Sequence, residues 1–350
     1  MKNFIYTGIL LASLVFSLRP HKAQAQDNQF SQFYAAPLFI NPAFTGALGY
    51  ACDDPKSRWR GVANYRRQWS YFNTYAVSVD YLNPARSRDK GLGFGGQVIR
   101  DVAKNGFTNT SVAGSAAYIT SIDGDWGFNG GVQLGYTMRG FSGGNLTYPD
   151  QFNDYGFTNT STPDNQQSYA SKGFVEAAAG VVLYNRNFWV GFAGHHLNRP
   201  NQALAEEGSD RISRRFSVHT GYKISFNDQP KSLTRKLDEH SLTPVVQFRH
   251  QGSFNQIDLG AYYTKEPLTI GLTYRGLPIK SEDDKLANEA LVGVIGLKTM
   301  GFRIGYSFDY TLSGLNKSSY KNAHEISLAY QFVSDKCQRR LMRKIACPSF

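Results

Sequence analysis

Phe302-Arg303-Ile304-Gly305-Tyr306-Ser307-Phe308-Asp309-Tyr310-Thr311-Leu312 alternates large apolar with small or polar residues at every step. After the polar stretch Ser313–Asn322 the alternation resumes, with Ile326, Leu328, Tyr330 and Phe332 set against Glu325, Ser327, Ala329 and Gln331. Successive side chains of a strand point to opposite faces, so both segments read as strands with one apolar and one polar face. Two architectures accept such a ribbon. A soluble sandwich buries the apolar face, whereas a membrane barrel turns it to lipid and points the polar face into a lumen.

The same pattern repeats along the chain. Segments near 58–68, 72–82, 91–101, 107–120, 126–140, 173–184, 187–198, 214–226, 242–251, 254–264, 267–276, 288–298, 300–312 and 323–333 all alternate, with turn residues between them. That predicts about 14 strands, most close to the roughly 9–11 residues a tilted membrane strand needs. Phe128, Val132, Leu134, Tyr136 and Met138 form one lipid-type face. Phe216, Val218, Tyr222, Ile224 and Phe226 form a second, and Leu268, Ile270, Leu272 and Tyr274 a third. An even count puts both chain ends on one side, taken as periplasmic. Phe141–Lys172, Arg199–Ile212, Leu277–Lys285 and Ser313–Asn322 then fall outside, and the shorter Asn83–Asp89, Ser121–Asp125, Asn185-Arg186 and Glu266-Pro267 inside. Long outside and short inside is the asymmetry of outer-membrane barrels. Asn227–His240 breaks it, being long and on the inner side, and is either a periplasmic contact loop or the mark of a slipped strand count.

The remaining bounds agree. Lys2, the apolar run Ile5–Leu18 and Ala23-Gln24-Ala25 read as a secretory signal ending at residue 25. Gly numbers 34, Tyr 21 and Phe 24, as expected of many strands with tight turns and aromatic girdles. Loss of Lys2, Arg19 and Lys22 takes the net charge from +11 to +8. In an exported protein that excess suits acidic lipid or an acidic protein partner rather than nucleic acid. Cys52, Cys337 and Cys347 are too few for a disulfide scaffold. The expected organisation is a signal peptide (1–25), an N-terminal segment (26–57), a barrel (58–333) and a basic periplasmic tail (334–350). The N-terminal segment, rich in aromatics and interrupted by Pro37 and Pro42, packs on the body or lies inside or under the barrel. The tail carries Arg339, Arg340, Arg343 and Lys344 and reads either as a free, disordered solubilising end or as a docking peptide that orders against an acidic periplasmic partner.

No catalytic, cofactor-binding or metal constellation is legible. The adjacent pair His195-His196 faces opposite ways on a strand. His219 and Ser217 share a face with Ser225 but lack an acid, so a membrane hydrolase is disfavoured. Gly91-Leu92-Gly93-Phe94-Gly95-Gly96 has no helix after it, and glycine on a barrel strand serves bending or close packing. The candidates for function are lumen residues: Arg60, Arg66, Asp80, Arg139, Glu176 and Arg275, with Asn64, Ser78, Arg100, Gln133, His219 and Lys223 on the same expected face. Charges there pair across the lumen or hold an inserted segment. A solute channel and a scaffold both remain compatible with them.

Several stretches resemble the PorP/SprF family of type IX secretion outer-membrane proteins. They are Gln26-Asp27-Asn28-Gln29-Phe30-Ser31-Gln32-Phe33 and Asn41-Pro42-Ala43-Phe44-Thr45-Gly46, then Arg67-Gln68-Trp69 and Tyr148-Pro149-Asp150-Gln151-Phe152. His196-Leu197-Asn198-Arg199-Pro200, Gly305-Tyr306-Ser307-Phe308-Asp309, Ala323-His324-Glu325-Ile326-Ser327-Leu328 and Cys347-Pro348 are similar too. In that family a Pro more usually stands at the position of Asn28. The resemblance implies an outer-membrane barrel of a Bacteroidetes bacterium. It implies service to secretion, gliding or the surface anchoring of an adhesin-type cargo. The partners it implies are periplasmic and lipoprotein components of the apparatus, the exported cargo and outer-membrane lipid. A porin-like diffusion channel is the alternative.

Overall fold

A computed structural model describes residues 27, 29–48, 58–84, 90–123, 126–141, 152–153, 156–158, 171–204, 208–226, 239–280, 286–299, 301–312, 322–331 and 345. The strands are β1 (Trp59–Gln68), β2 (Phe72–Pro84), β3 (Lys90–Ala103), β4 (Phe107–Asp123), β5 (Trp126–Phe141), β6 (Lys172–Tyr184) and β7 (Phe188–His195). They continue with β8 (Arg215–Tyr222, extended by Ile224–Ser225), β9 (His240–Gln251), β10 (Phe254–Lys265), β11 (Leu268–Lys280), β12 (Leu286–Thr299), β13 (Phe302–Thr311) and β14 (Ala323–Gln331). Each pairs antiparallel with the next, and β1 pairs with β14 from Arg60↔Gln331 to Gln68↔Ala323. The sheet therefore closes into a fourteen-stranded barrel with no free edge. The long Asn227–His240 connection does not reflect a slipped count, because β8 and β9 pair directly on either side of it. Its residues 227–238, like most of Phe141–Lys172, lie outside the described residues.

The opening hairpin shows how the alternation is used. Phe302, Ile304, Tyr306 and Tyr310 are exposed on the outer face, while Gly305, Ser307, Asp309 and Thr311 are buried on the inner one. Leu134 and Val132 are 65% and 59% exposed at mid-strand, an environment suited to hydrocarbon rather than water. Aromatics flank this aliphatic band. Trp59, Trp126, Tyr222, Phe302 and Tyr330 are exposed toward the end where β1 starts, and Tyr75, Phe216, Phe248 and Tyr310 toward the other. Cross-strand pairs such as Trp59–Tyr81 (4.6 Å) and Phe302–Tyr330 (4.5 Å) tie neighbouring strands at that girdle. Among the described residues no helix is long and apolar enough to cross a membrane; the crossing elements are strands.

One lumen expectation fails. Arg100 is exposed on the outer face of β3, in line with Leu92, Phe94 and Val98, whereas Ile99 and Asp101 are buried inward. The strict two-residue period assigns it there, and its place near the strand end lets the guanidinium reach the interface.

Residues 27–48 do not lie under the barrel or on its outside. They run through it. Pro37 and Pro42, read from sequence as interruptions, each open a helical turn, Pro37–Ile40 and Pro42–Phe44. The fixed φ of proline and its missing N–H suit the first helical position. Asn41 caps the second turn, accepting from the Ala43 N–H at 2.9 Å. Phe30, Leu38, Ile40, Ala43 and Phe44 are buried against the barrel wall, and each large side chain removed from water contributes about 2 kcal/mol.

Candidate functional site

The lumen has two zones. In the half nearer the long loops, inward positions include the charged Arg66, Asp101, Asp258, Arg275, Asp309 and Glu325 beside the apolar Ile99 and Phe174. In the half nearer the short turns they include Val182, Tyr184, Trp189, Val245, Tyr262, Val292 and Val294, an apolar lining that porin-type lumens lack. The threaded segment matches both. Asp27, Ser31 and Gln32 meet the charged zone, and Tyr34, Ile40, Ala43 and Phe44 pack into the apolar one.

The charged zone is built around Ser31. Arg66 on β1 pairs with Asp309 on β13 at 2.9 Å and Glu325 on β14 at 3.3 Å. Arg275 on β11 pairs with Asp258 on β10 at 3.0 Å and Asp309 at 3.3 Å, and Arg249 on β9 reaches Asp258 at 2.7 Å. Three guanidinium groups thus meet three carboxylates. Buried ions cost heavily unless paired, and here each has at least one partner of opposite sign. The Ser31 N–H donates to Glu325 Oε2 at 2.6 Å, and its hydroxyl donates to Asp309 Oδ2 while accepting from Arg66. Gln32 donates from its side chain to the Glu325 carbonyl at 3.0 Å and accepts from Ser327 at 2.6 Å. The segment is therefore a member of the ion-pair network, not a passer-by.

At the long-loop mouth Asp27 lies between Arg215 (3.0 Å) and His196 (2.7 Å), and His196 also reaches Glu176 at 3.1 Å. Burial alone would lower the His196 pKa, but Asp27 and then Glu176 favour the imidazolium and raise it to about 9. Burial alone would raise Asp27; His196 and Arg215 outweigh it and hold the carboxyl well below the ordinary range. Arg139 bonds Gln202 in the loop after β7. At the short-turn mouth Arg60 grips Asp80 with two bonds, at 2.9 and 2.7 Å. It also donates to the Phe44 carbonyl at 3.1 Å, while Asp80 accepts from the Gly46 N–H at 2.8 Å.

Wall glycines make the passage. A Cβ on Gly131 would stand 2.5 Å from the Pro42 carbonyl carbon, and one on Gly93 would meet the Thr45 carbonyl. Gly180 and Gly305 leave the space that the Asn41 and Gln32 side chains occupy. Gly46, at φ +68°, sits against Gly93 in a conformation that disfavours a side chain. The glycine-rich Gly91–Gly96 stretch thus serves close packing.

All six lumen candidates face inward, and five of them touch the segment or its immediate partners: Arg60, Asp80, Arg66, Arg275 and Glu176. Of the N-terminal motif, Phe30, Asn41, Pro42, Phe44 and Gly46 all lie inside. His195 Nε2 donates to the Ile40 carbonyl (3.3 Å) and His219 Nε2 accepts from Asn41 Nδ2 (3.2 Å), so these histidines hold the segment. Asp258, Asp309, Glu325, Arg249, Arg215 and Asp27 complete the ion-pair networks beyond those candidates. The period of two already assigns Asp309 and Glu325 inward; what the pattern lacks is the distance across the lumen. Among the described residues no group of three or more His, Cys, Asp or Glu is arranged for a metal. Arg339, Arg340, Arg343 and Lys344 lie outside the described residues, as does Phe332. Ile345, in the C-terminal tail, is buried.

Among solved structures, the chain is similar to the P. putida toluene transporter TodX, at 10% identity and TM-score 0.43 over 84% of this chain and 93% of that one. It is also similar to a mutant of the Rh. blastica porin, at 9% identity and TM-score 0.33 over 79% and 99%. No curated protein matches it in sequence. A family model described as type IX secretion system membrane protein PorP/SprF matches residues 22–330.

Proposed function

The chain belongs to the PorP/SprF family of type IX secretion system membrane proteins, an outer-membrane β-barrel family, and from that premise we propose that it works as a plugged scaffold. In this reading it holds an adhesin-type cargo at its long-loop end and docks periplasmic components of the apparatus at its short-turn end. The observation that carries the reading is the filled lumen. Inward side chains from around the ring, including Asp80, His219, Tyr262, Arg275 and Ser307, are each no more than 1% exposed. A diffusion channel needs a water-filled path and solvated lumen charges. Here the charges are spent on the chain's own segment. The bulk of the lumen wall serves to position that segment, which leaves the two mouths as the surfaces available to other proteins.

The test is removal of the chain from its native cell. Loss of one surface protein from the cell exterior, with small-solute uptake unchanged, is the expected result. Unchanged surface display together with slowed solute uptake would overturn the scaffold in favour of the channel.

A further inference from the structure

Two stretches that the filled lumen leaves partly unused, Arg67-Gln68-Trp69 and Ala323-His324-Glu325, meet on the outer wall. The β1–β14 pairing sets Arg67 directly opposite His324, and the β1–β2 pairing sets it opposite Asn73. The three residues form one row across neighbouring strands, about 5 Å apart, near the long-loop end. Arg67 and His324 are exposed and Asn73 is half-buried. Both flanks of the row are oriented by tyrosine. The Tyr306 hydroxyl lies 2.9 Å from His324 Nδ1; with the hydroxyl donating, Nε2 carries the ring proton and is a donor. Phe308 packs beside that ring at 5.1 Å. Tyr65 donates to Asn73 Oδ1 at 3.1 Å, which leaves the amide N–H groups to donate, and it packs on Tyr75 at 5.2 Å. The Trp69 N–H donates to the Asn322 carbonyl at 3.1 Å and ties the rim across the β1–β14 seam.

This row offers donors without acceptors. The carboxylates of the surrounding strands, Asp80, Asp101, Asp309 and Glu325, are all buried inward. Arg67 has no ion-pair partner among the described residues. Arg100, opposite Tyr75 and exposed, adds a second outward cation two strands away. Toward mid-membrane the same face carries exposed Val77, Val98 and Ile326, a surface for acyl chains. A cation on a lipid-facing wall is costly unless it reaches the interface and meets an anion there.

We propose that Arg67, His324 and Asn73 bind the phosphorylated headgroup of a membrane lipid in the leaflet at the long-loop end. Arg67 takes the phosphate through its guanidinium fork, and His324 and Asn73 donate from either side. The adjoining apolar wall decides for a lipid rather than a soluble phosphate, because it receives the chains that the headgroup carries. The connections beside the row, 69–71 and 104–106, are short turns, which leaves the wall open to lipid. The site lies outside the barrel and does not depend on the scaffold reading.

The test uses the full chain in uncharged detergent, bisphosphorylated lipid A as the probe, and native mass spectrometry to count retained lipid. The parent chain is expected to retain lipid A at least tenfold better than the same lipid stripped of its phosphates. Arg67→Gln should lower retention at least tenfold while the barrel stays heat-modifiable. Lys265→Gln, an exposed cation at the opposite rim, should leave retention unchanged. Equal retention of the stripped lipid, or undiminished retention by Arg67→Gln, would overturn the site. An equal loss in Lys265→Gln would reduce it to non-specific charge and overturn it as well. Displacement of lipid A by inorganic phosphate would overturn the lipid in favour of a soluble anion; persistence of the complex is expected. Should Arg67→Gln fail to fold, Asn73→Leu provides the same readout.

Discussion

Ser31 and Glu325, 294 residues apart, are joined by a 2.6 Å hydrogen bond from the Ser31 N–H to Glu325 Oε2. The closing strand of the barrel thus holds the first described turn of the chain. Glu325 accepts a bond from Gln32 as well and pairs with Arg66, so one carboxylate ties together β14, β1 and the threaded segment.

Removing that carboxylate leaves three buried guanidinium groups, Arg66, Arg249 and Arg275, to share Asp258 and Asp309. Glu325→Ala is expected to destabilise the barrel by about 3 kcal/mol, the usual cost of breaking a buried pair. The heat needed to shift the folded band on a semi-native gel measures it. Arg66→Ala should cost a similar amount, and the double variant less than the sum, because the two residues share one network.

Wall glycines give a cleaner way to move the segment without touching charge. Gly131→Val directs a side chain into Pro42 and Ala43. The expected outcome is a barrel that still closes, since the outer face is untouched, with the segment displaced. Protease digestion from the lumen, absent in the parent chain, is the readout.

The latch at the long-loop mouth is pH-dependent. His196 is raised from 6.5 to about 9 in the folded chain. A group raised on folding stabilises fully below its unfolded value and loses that contribution as pH climbs through the folded one. Melting temperature should therefore fall between pH 7 and 10, with a limit on the order of 3 kcal/mol set by the shift. In His196→Gln the dependence over that window should flatten.

The outer face is tested by charge. Leu134 lies in the middle of β5 and faces outward, so Leu134→Arg should cost about 2–4 kcal/mol, the penalty for a cation at the membrane midplane. Arg100→Leu, near a strand end, should be close to neutral. Refolding titrations into lipid vesicles separate the two.

Much of this architecture is legible in the alternation. The period of two gives the strands from Trp59 to Gln331 and the inward side of Arg66, Asp80 and Arg275. It also corrects Arg100 when Leu92, Phe94 and Val98 are followed strictly. The path of residues 27–48 is not legible in the same way. Pro37 and Pro42 look like breaks because helical turns of three or four residues are too short to show a period. The contacts that hold the segment join positions up to 295 residues apart, and no local pattern encodes them. Gly93, Gly131, Gly180 and Gly305 do carry the imprint, yet a glycine on a strand reads equally as a bend. Ile345 sits among cations, and that composition masks its burial.

The most direct measurement is single-channel conductance of the purified full-length chain in planar bilayers, beside a variant lacking residues 27–48. A silent parent chain and open steps in the variant are the expected result. A steady, large open current from the parent chain would contradict the plugged lumen and return the protein to the diffusion channels.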